Sequence, residues 1–239
     1  MHHHNITPIG EIQTPFKQKF AIPRQPNLAN ALGVITFADE FFHPDMLRGI
    51  EQFSHLWLVF IFHQTLQRGF KPLVKAPRLG GNAKTGVLAS RSSHRPNGLG
   101  LSVVKNDGIN DINGKTVLQV RGVDLLHLTP IVDIKPYLPY ADRVEDTNDN
   151  LIRSDHIPMR EVHLSKNADK VLRMVSPQYP DLHCLIIDVL RQDPRPAYKH
   201  VEDNDEKLYK VQLYEFDVCW KVANGNIVVT DIIALTLQP

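Results

Sequence analysis

The sequence predicts a mainly β, α+β chain, with a closed or nearly closed antiparallel sheet in its N-terminal part and a small α+β unit after it. Many short strand-like segments separated by turn residues fill the first 140 residues or so. An acidic, polar stretch at 139–158 lacks apolar periodicity, and helical spacing follows it. We therefore divide the chain into a domain at 1–142, a linker at 143–159 and a domain at 160–239.

The N-terminal elements follow from alternating apolar residues and turn signals. Two glycine-containing turns, Asn-Asp-Gly at 106–108 and Asn113-Gly114, predict hairpin connections. One short helix is predicted near 44–52. The predicted strands are 6–13, 33–37, 56–63, 85–91, 101–109, 116–123 and 131–134.

The C-terminal elements begin with two segments of helical spacing, 166–175 and 182–191. Residues 209–220 then alternate as a strand, with a phase slip at Leu213-Tyr214 that predicts a β-bulge. A turn at 224–226 leads into a last strand at 227–235.

Composition narrows the class of protein. Hydrophobic residues make up 42% and charged residues 22% of 239 residues, as in globular proteins. No apolar run reaches the roughly 18 residues that span a bilayer, and no apolar segment of a signal peptide follows Met1. Cys184 and Cys219 have no metal-ligand spacing. We expect a soluble, cytoplasmic protein without a metal.

Charge is distributed unevenly although the net charge is only +1. No Asp or Glu occurs from Gln52 to Asn106. Such a segment favours binding to phosphates or nucleic acid, unless acids elsewhere in the fold compensate it. Its eight cations are Arg68, Lys71, Lys75, Arg78, Lys84, Arg91, Arg95 and Lys105.

Several common catalytic motifs are missing from the sequence. There is no GxGxxG, so the usual dinucleotide or methyltransferase loop is not present. The glycines at 81 and 86 lack the Lys-Ser/Thr that completes a P-loop. Neither a nucleophile elbow nor a zinc deaminase signature occurs, which argues against a hydrolase and a deaminase.

A first candidate site lies at 91–102. Arg91 and Arg95 can bind carboxylates or phosphates with two hydrogen bonds each, and Gly98 and Gly100 let a ligand approach the main chain closely. A polar hairpin loop is the structural alternative.

A second candidate lies at 128–137. Asp133 and Lys135 alternate with apolar residues, so they lie on one face of a strand that Tyr137 follows. Apolar neighbours are expected to desolvate them and to shift their pKa values, which suits proton transfer. A buried structural ion pair is the alternative.

A third, weaker candidate lies at 192–198. Two prolines fix its backbone, and Arg195 and Tyr198 are expected to project as a docking loop for nucleic acid. A rigid connector is the alternative.

Specific stretches of the chain resemble the TrmO proteins, also called the YaeB or TsaA-like family. The resemblance covers nearly the whole chain. The matching stretches are Phe53-Ser-His-Leu-Trp57, Pro77-Arg-Leu79, Gly81-Asn-Ala-Lys84, 86–97, Gly100-Leu-Ser102, Asp124-Leu-Leu126, 129–137, Ile22-Pro-Arg-Gln-Pro26 and 192–198.

The resemblance implies a homodimeric tRNA methyltransferase. Its N-terminal domain would be a single antiparallel β-barrel that binds S-adenosylmethionine, followed by a smaller C-terminal domain. The implied reaction is N6-methylation of threonylcarbamoyladenosine at position 37 of threonine tRNA. A non-catalytic nucleoside- or RNA-binding module remains the alternative.

The resemblance also implies the site residues. The catalytic candidates are Asp133, Lys135 and Tyr137. The tRNA-binding candidates are Arg78, Lys84, Arg95, Asn97, Arg195 and Tyr198. The cofactor-binding candidates are Arg24, Gln25, Pro26, His63, Gln64, Arg91, Leu101, Leu128, Thr129, Pro130 and Ile131. Leu128 stands where the family often has glycine, so this turn is expected to lose easy access to positive φ.

Overall fold

The computed structural model describes residues 4–75, 84–148 and 159–235. Its strands are β1 (Gly10–Gln13), β2 (Leu32–Phe37), β3 (His55–Ile61), β4 (Leu73–Lys75), β5 (Lys84–Gly86), β6 (Leu99–Ile112), β7 (Lys115–Arg121), β8 (Thr129–Pro136), β9 (Val162–Leu164), β10 (Asp205–Leu213), β11 (Phe216–Ala223) and β12 (Asn226–Ala234). Its α-helices are α1 (His63–Leu66), α2 (Pro139–Asp142), α3 (Lys166–Val175) and α4 (Leu182–Leu190).

Six antiparallel strands form the main sheet, in the order β1-β2-β7-β6-β3-β8. The sheet closes on itself because β1 pairs with β8 as well as with β2. Since neighbouring strands run in opposite directions, β2, β6 and β8 begin at the end where β1, β3 and β7 finish. We call this end the proximal end and the opposite one the distal end.

Side-chain alternation fills the interior of the main sheet. Along β3, Leu56, Leu58 and Phe60 are buried, while Trp57 and Val59 face outward. This period of two is what a strand with one face in the core requires. Each buried leucine stabilises the fold by about 1.5–3 kcal/mol through burial of apolar surface.

The expected fold class needs a correction. The N-terminal region is not one sheet, because β4 and β5 pair in a separate two-stranded sheet. Each strand of the main sheet already has two hydrogen-bonded neighbours, so the intervening chain finds no free edge to join. The described residues are thus mainly β and form three sheets, and a single β-barrel as the whole N-terminal domain is wrong. The predicted strand at 85–91 falls partly in this hairpin.

Of three local predictions in the N-terminal region, one is confirmed and two are wrong. The hairpin turn at Asn113-Gly114 between β6 and β7 is confirmed. Residues 106–108 do not end a strand; they form an irregularity within β6, with Gly108 at φ 96°. The helix expected at 44–52 is wrong, because this segment holds two short 3₁₀ turns, Pro44–Leu47 and Ile50–Gln52.

The C-terminal unit is a four-stranded sheet, ordered β10-β11-β12-β9, with α3 and α4. Both predicted helices are confirmed. The phase slip at Leu213-Tyr214 is a two-residue hairpin turn rather than a bulge, since Leu213 pairs with Phe216 and Tyr214 has φ 51°. The short β9 was not predicted; it pairs in parallel with β12.

The two regions contact each other through residues 14–30, the connection between β1 and β2. Phe16 forms an isolated bridge to Leu213. The side-chain amide of Gln192 donates to the Leu28 carbonyl at 2.9 Å, and the Asn30 amide donates to Asp188 at 3.0 Å. The C-terminal unit therefore fixes the connection that leads past the proximal end. Within the described ranges, no helix has the length and apolar character needed to cross a bilayer.

Candidate functional site

The candidate cofactor residues meet at the proximal end, although they come from five separate segments. These are residues 24–26 between β1 and β2, residues 63–64 directly after β3, Arg91 before β6, Leu101 near the start of β6, and residues 128–131 at the start of β8. Closure of the main sheet brings them together, because each segment lies close to the proximal end of a strand or in the chain that connects two strands there.

Arg91 is the central cation of this end. Its guanidinium donates a hydrogen bond to the Gln25 side-chain oxygen, which joins the first and third segments. Arg91 and Arg24 are exposed, and Gln25 and Pro26 are partly buried. Because a hydrogen bond orients this exposed guanidinium, it is suited to bind a carboxylate or phosphate.

Asp124, which lies between β7 and β8, was missed as a site residue. Its carboxylate accepts a hydrogen bond of 2.7 Å from the Ser102 hydroxyl. Burial raises the pKa of Asp124 to about 6, although the Ser102 hydrogen bond and the charge of Arg91 act in the opposite direction. The sequence feature that could have identified Asp124 is a single carboxylate between the apolar residues Val123 and Leu125, both of which are buried.

Two glycines shape the chain that follows Arg91. Gly98 has φ 61°, and its carbonyl accepts from the Phe62 amide at 2.7 Å. A Cβ on Gly98 would approach the Leu66 side chain to 2.5 Å, and one on Gly100 would approach the Phe60 ring to 2.3 Å. Any larger residue would push the loop away from the ends of β3 and α1.

The turn before β8 is strained. Leu128 adopts φ 60° although it is not glycine, and its amide donates to the Ile12 carbonyl at 2.9 Å. The Thr129 hydroxyl donates to the Leu126 carbonyl at 2.7 Å and closes the turn. The Leu128 and Leu101 side chains remain 45% and 54% exposed, so the proximal end presents apolar surface beside its polar groups.

Three positively charged or titratable groups lie close together near the end of β3. Burial lowers the pKa of His63, and the charge of Lys19 lowers it further. Burial and the nearby charge of Arg68 likewise lower the pKa of Lys19. The neighbouring cations Lys19 and Arg68 create a positive potential that a bound anion would relieve. Lys19 lies outside the acid-free segment and was not predicted.

The predicted tRNA-binding residues of the loop region have different surroundings. Lys84 and Asn97 are exposed. The Arg95 guanidinium donates to the Ser90 and Val87 carbonyls at 2.7 and 3.3 Å, so it holds its own loop together. Arg78 lies outside the described residues.

Asp133 and Lys135 lie on the outer face of the main sheet. Their side chains form an ion pair of 3.2 Å and are 48% and 67% exposed. The expectation that apolar neighbours desolvate them is therefore wrong, because among the described residues no layer packs over the outer face of β8 at this point. Asp133 is aligned with Val59 and Leu101 on neighbouring strands, which puts it about 10 Å from Leu101.

Tyr137 lies at the distal end. Its amide donates to the His55 carbonyl where β3 begins, and its ring lies 5.8 Å from the Trp57 ring and 6.4 Å from the His55 ring. Four residues of extended chain separate it from Asp133, a distance of about 13 Å. The three predicted catalytic residues therefore do not form one tight cluster.

In the third candidate segment, the expectation that Arg195 projects is wrong. Arg195 is fully buried and paired with Asp193 at 2.7 Å and with Asp205 at 3.4 Å. Tyr198 does project and is 74% exposed. The sequence does not distinguish a projecting arginine from a buried one in this segment, because two prolines would fix the backbone of a docking loop and of a rigid connector equally well.

The fold and the site together define a class, a closed antiparallel sheet that carries a polar, arginine-bearing ligand site at one end. The family model of the tRNA-methyltransferase O N-terminal domain matches residues 11–143, and that of the TrmO C-terminal domain matches residues 158–235. The chain belongs to the TrmO family of tRNA methyltransferases.

Individual relatives are similar to this chain over most of its length. A tRNA (adenine(37)-N6)-methyltransferase of Escherichia coli K12 is 42% identical over 91% of this chain and 93% of its own. A putative S-adenosylmethionine-dependent methyltransferase of Pseudomonas aeruginosa is 42% identical over 94% and 95% of the two chains. The crystal structure of TrmO from Pseudomonas aeruginosa superimposes with a TM-score of 0.78 at 35% identity, covering 98% of this chain and 100% of that one.

Proposed function

We propose that this protein transfers the methyl group of S-adenosylmethionine to N6 of threonylcarbamoyladenosine at position 37 of threonine tRNA. The chain belongs to a family of tRNA adenine-N6 methyltransferases that depend on S-adenosylmethionine. The observation that carries the proposal is the meeting of the five candidate cofactor segments at the proximal end, beside the positive charges of Lys19 and Arg68.

The residues at the proximal end fit the proposed cofactor. Arg91 supplies a cation for the amino-acid carboxylate, and Leu101 and Leu128 offer exposed apolar side chains for the flat adenine. Gly98 and Gly100 occupy positions where a Cβ would collide with neighbours, which keeps the main chain close to the ends of β3 and α1. When bound, the cofactor supplies an electrophilic methyl group.

The chain's own residues must then position the acceptor nitrogen and remove its proton. This nitrogen lies between a purine and a carbonyl, so it is a weak nucleophile until its N–H proton is lost. Asp133 lies on the outer face in line with Leu101 and is the better placed proton acceptor, with Lys135 stabilising the developing anion. Tyr137 is the other candidate; its distal position suits contact with an RNA base beside the Trp57 ring.

Positive charge at the proximal end suits the proposed substrate. The tRNA backbone is a polyanion, and the threonylcarbamoyl group carries a carboxylate of its own. Lys19 and Arg68 lie close enough to interact, on the side of the end where β3 finishes. Lys84, Asn97 and Tyr198 add exposed groups outside this cluster.

The direct test is transfer of a labelled methyl group to two preparations of threonine tRNA, with and without the threonylcarbamoyl group. We expect labelling of the modified tRNA alone. Equal labelling of both preparations would contradict the proposed substrate, and labelling of neither would favour a non-catalytic nucleoside- or RNA-binding module. Sedimentation of the same sample tests the homodimer that the family resemblance implies.

A further inference from the structure

Asp124 and Arg91 carry opposite charges at the proximal end without forming an ion pair. None of the ion pairs between described residues joins these two, although the charge of Arg91 is close enough to act on Asp124. Arg91 instead donates to Gln25, and Asp124 instead accepts from Ser102. The two charges are thus held apart by separate partners.

The partners fix both groups in position. Ser102 is 2% exposed and belongs to β6, where it pairs with Leu58 of β3, so its hydroxyl is anchored in the closed sheet. Gln25 belongs to the β1–β2 connection, which the C-terminal unit holds through Leu28 and Asn30. Two oriented charges of opposite sign on a rigid frame match a ligand that carries both signs at a fixed separation.

We infer that Asp124 and Arg91 together bind the α-amino-acid zwitterion of the cofactor, with Asp124 accepting from its ammonium group and Arg91 donating to its carboxylate. The inference rests on the proposed function, because the methionine part of S-adenosylmethionine supplies this zwitterion. It adds Asp124 as a ligand-binding residue and Ser102 as the residue that orients it.

The cost of an unpaired carboxylate supports this reading. Among the described residues Asp124 forms no ion pair, and burial without one disfavours the charged form of its carboxyl and raises its pKa. An ammonium group from the ligand would supply the missing partner. Ordinary structural aspartates in this chain, such as Asp107 with Arg121, already have theirs.

Calorimetry with two ligands tests the inference. S-adenosylhomocysteine retains the amino acid, and 5′-methylthioadenosine lacks it. For Asp124→Asn we expect the affinity for S-adenosylhomocysteine to fall about tenfold or more, while the affinity for 5′-methylthioadenosine changes less than about twofold. Ser102→Ala, which keeps the charge, should lose about threefold for the first ligand alone. Asp111→Asn, an exposed aspartate of β6, is the matched control and should bind both ligands as the unaltered chain does.

The outcomes separate the two claims. If the unaltered chain binds S-adenosylhomocysteine and Asp124→Asn binds it equally well, the zwitterion site is refuted and the proposed function survives. An equal loss for both ligands refutes it too, because Asp124 would then act on the fold of the site. If the unaltered chain binds neither ligand, the proposed cofactor falls and the inference with it. Melting curves of each variant identify any that fail to fold.

Discussion

The C-terminal unit and the proximal end of the main sheet each contain an aspartate removed from water, and the two have opposite surroundings. Asp193 is fully buried and accepts from Arg195 at 2.7 and 2.8 Å and from Arg160 at 2.8 Å. Burial alone would raise the pKa of Asp193, but the hydrogen bonds and charges of the two arginines outweigh it and lower the pKa. Asp124 has a serine as its hydrogen-bond partner and a raised pKa.

The difference shows that the same residue type can have its charge neutralised by arginines in one region and be left with a serine partner in the other. The C-terminal network satisfies its charges internally, so no ligand can improve it without breaking it. The proximal end leaves charges of both signs with capacity for further partners. Four substitutions can break or sharpen this contrast, from the largest expected effect to the smallest.

Arg195→Met should destabilise the protein most, by about 3–5 kcal/mol, because it leaves Asp193 buried with one cation fewer and removes one of the cations paired with Asp205, which keeps Lys199 at 3.6 Å. The free energy of unfolding in urea measures this. Arg173→Met is the control, since Arg173 forms an exposed helical pair with Asp169 and should cost less than about 0.5 kcal/mol. Similar losses in the two variants would remove the basis of the contrast.

Asp133→Asn should lower the turnover of methyl transfer about a hundredfold through loss of a proton acceptor. Binding of S-adenosylhomocysteine should stay nearly unchanged, because Asp133 lies on the outer face about 10 Å from Leu101. Single-turnover rates and calorimetry measure the two quantities. A parallel fall in both would argue against the catalytic role.

Asp124→Asn should stabilise the free protein at pH 7.5 by about 1–3 kcal/mol, since it removes a charge that burial disfavours. The folded-state pKa of about 6 lies above the ordinary 3.8, so the folded chain binds more protons between these values. Its stability therefore falls as pH rises from about 4 to about 6, and the full cost remains above that. Urea unfolding at pH 4.5 and 7.5 should show a clearly larger gain for the variant at the higher pH. A gain of equal size at both values would contradict the assignment.

Leu128→Gly should have the smallest effect, a gain of up to about 1 kcal/mol. Relief of the positive φ is worth about 1–2 kcal/mol, and the extra freedom of glycine in the unfolded chain offsets part of it. Leu128→Val should instead lose about 1 kcal/mol, because a β-branched residue tolerates this conformation poorly. Thermal unfolding compares the pair, and a glycine variant less stable than the valine variant would show that Leu128 is not strained.

Sequence reasoning grouped the candidate segments better than it predicted the surroundings of their side chains. Arg91, His63 and Thr129 were expected at one site, and strand closure does place them at one end. Alternation put Asp133 and Lys135 on one face correctly, but it could not say that this face looks outward. Arg195 was misplaced for the same reason, since no local pattern distinguishes a projecting arginine from one that two buried carboxylates enclose.

The turns likewise show which features the sequence predicts and which depend on tertiary structure. An Asn-Gly step was enough to predict the β6–β7 hairpin at residues 113–114, because both residues tolerate positive φ. The similar signal at 106–108 became an irregularity within one strand, where β6 continues past its partner β3 to pair with β7. Which outcome occurs depends on the neighbouring strands and not on the residues of the turn.

The sequence by itself determined what depends on local periodicity and on long specific stretches: the two C-terminal helices, most strands and the family. The tertiary structure decided which charges have partners. Asp124 meets a serine of β6, whereas Asp193 meets two arginines, one of which, Arg160, lies far from it in the chain. A pKa depends on the groups within a few ångströms in space, and only strand closure and packing bring those groups together.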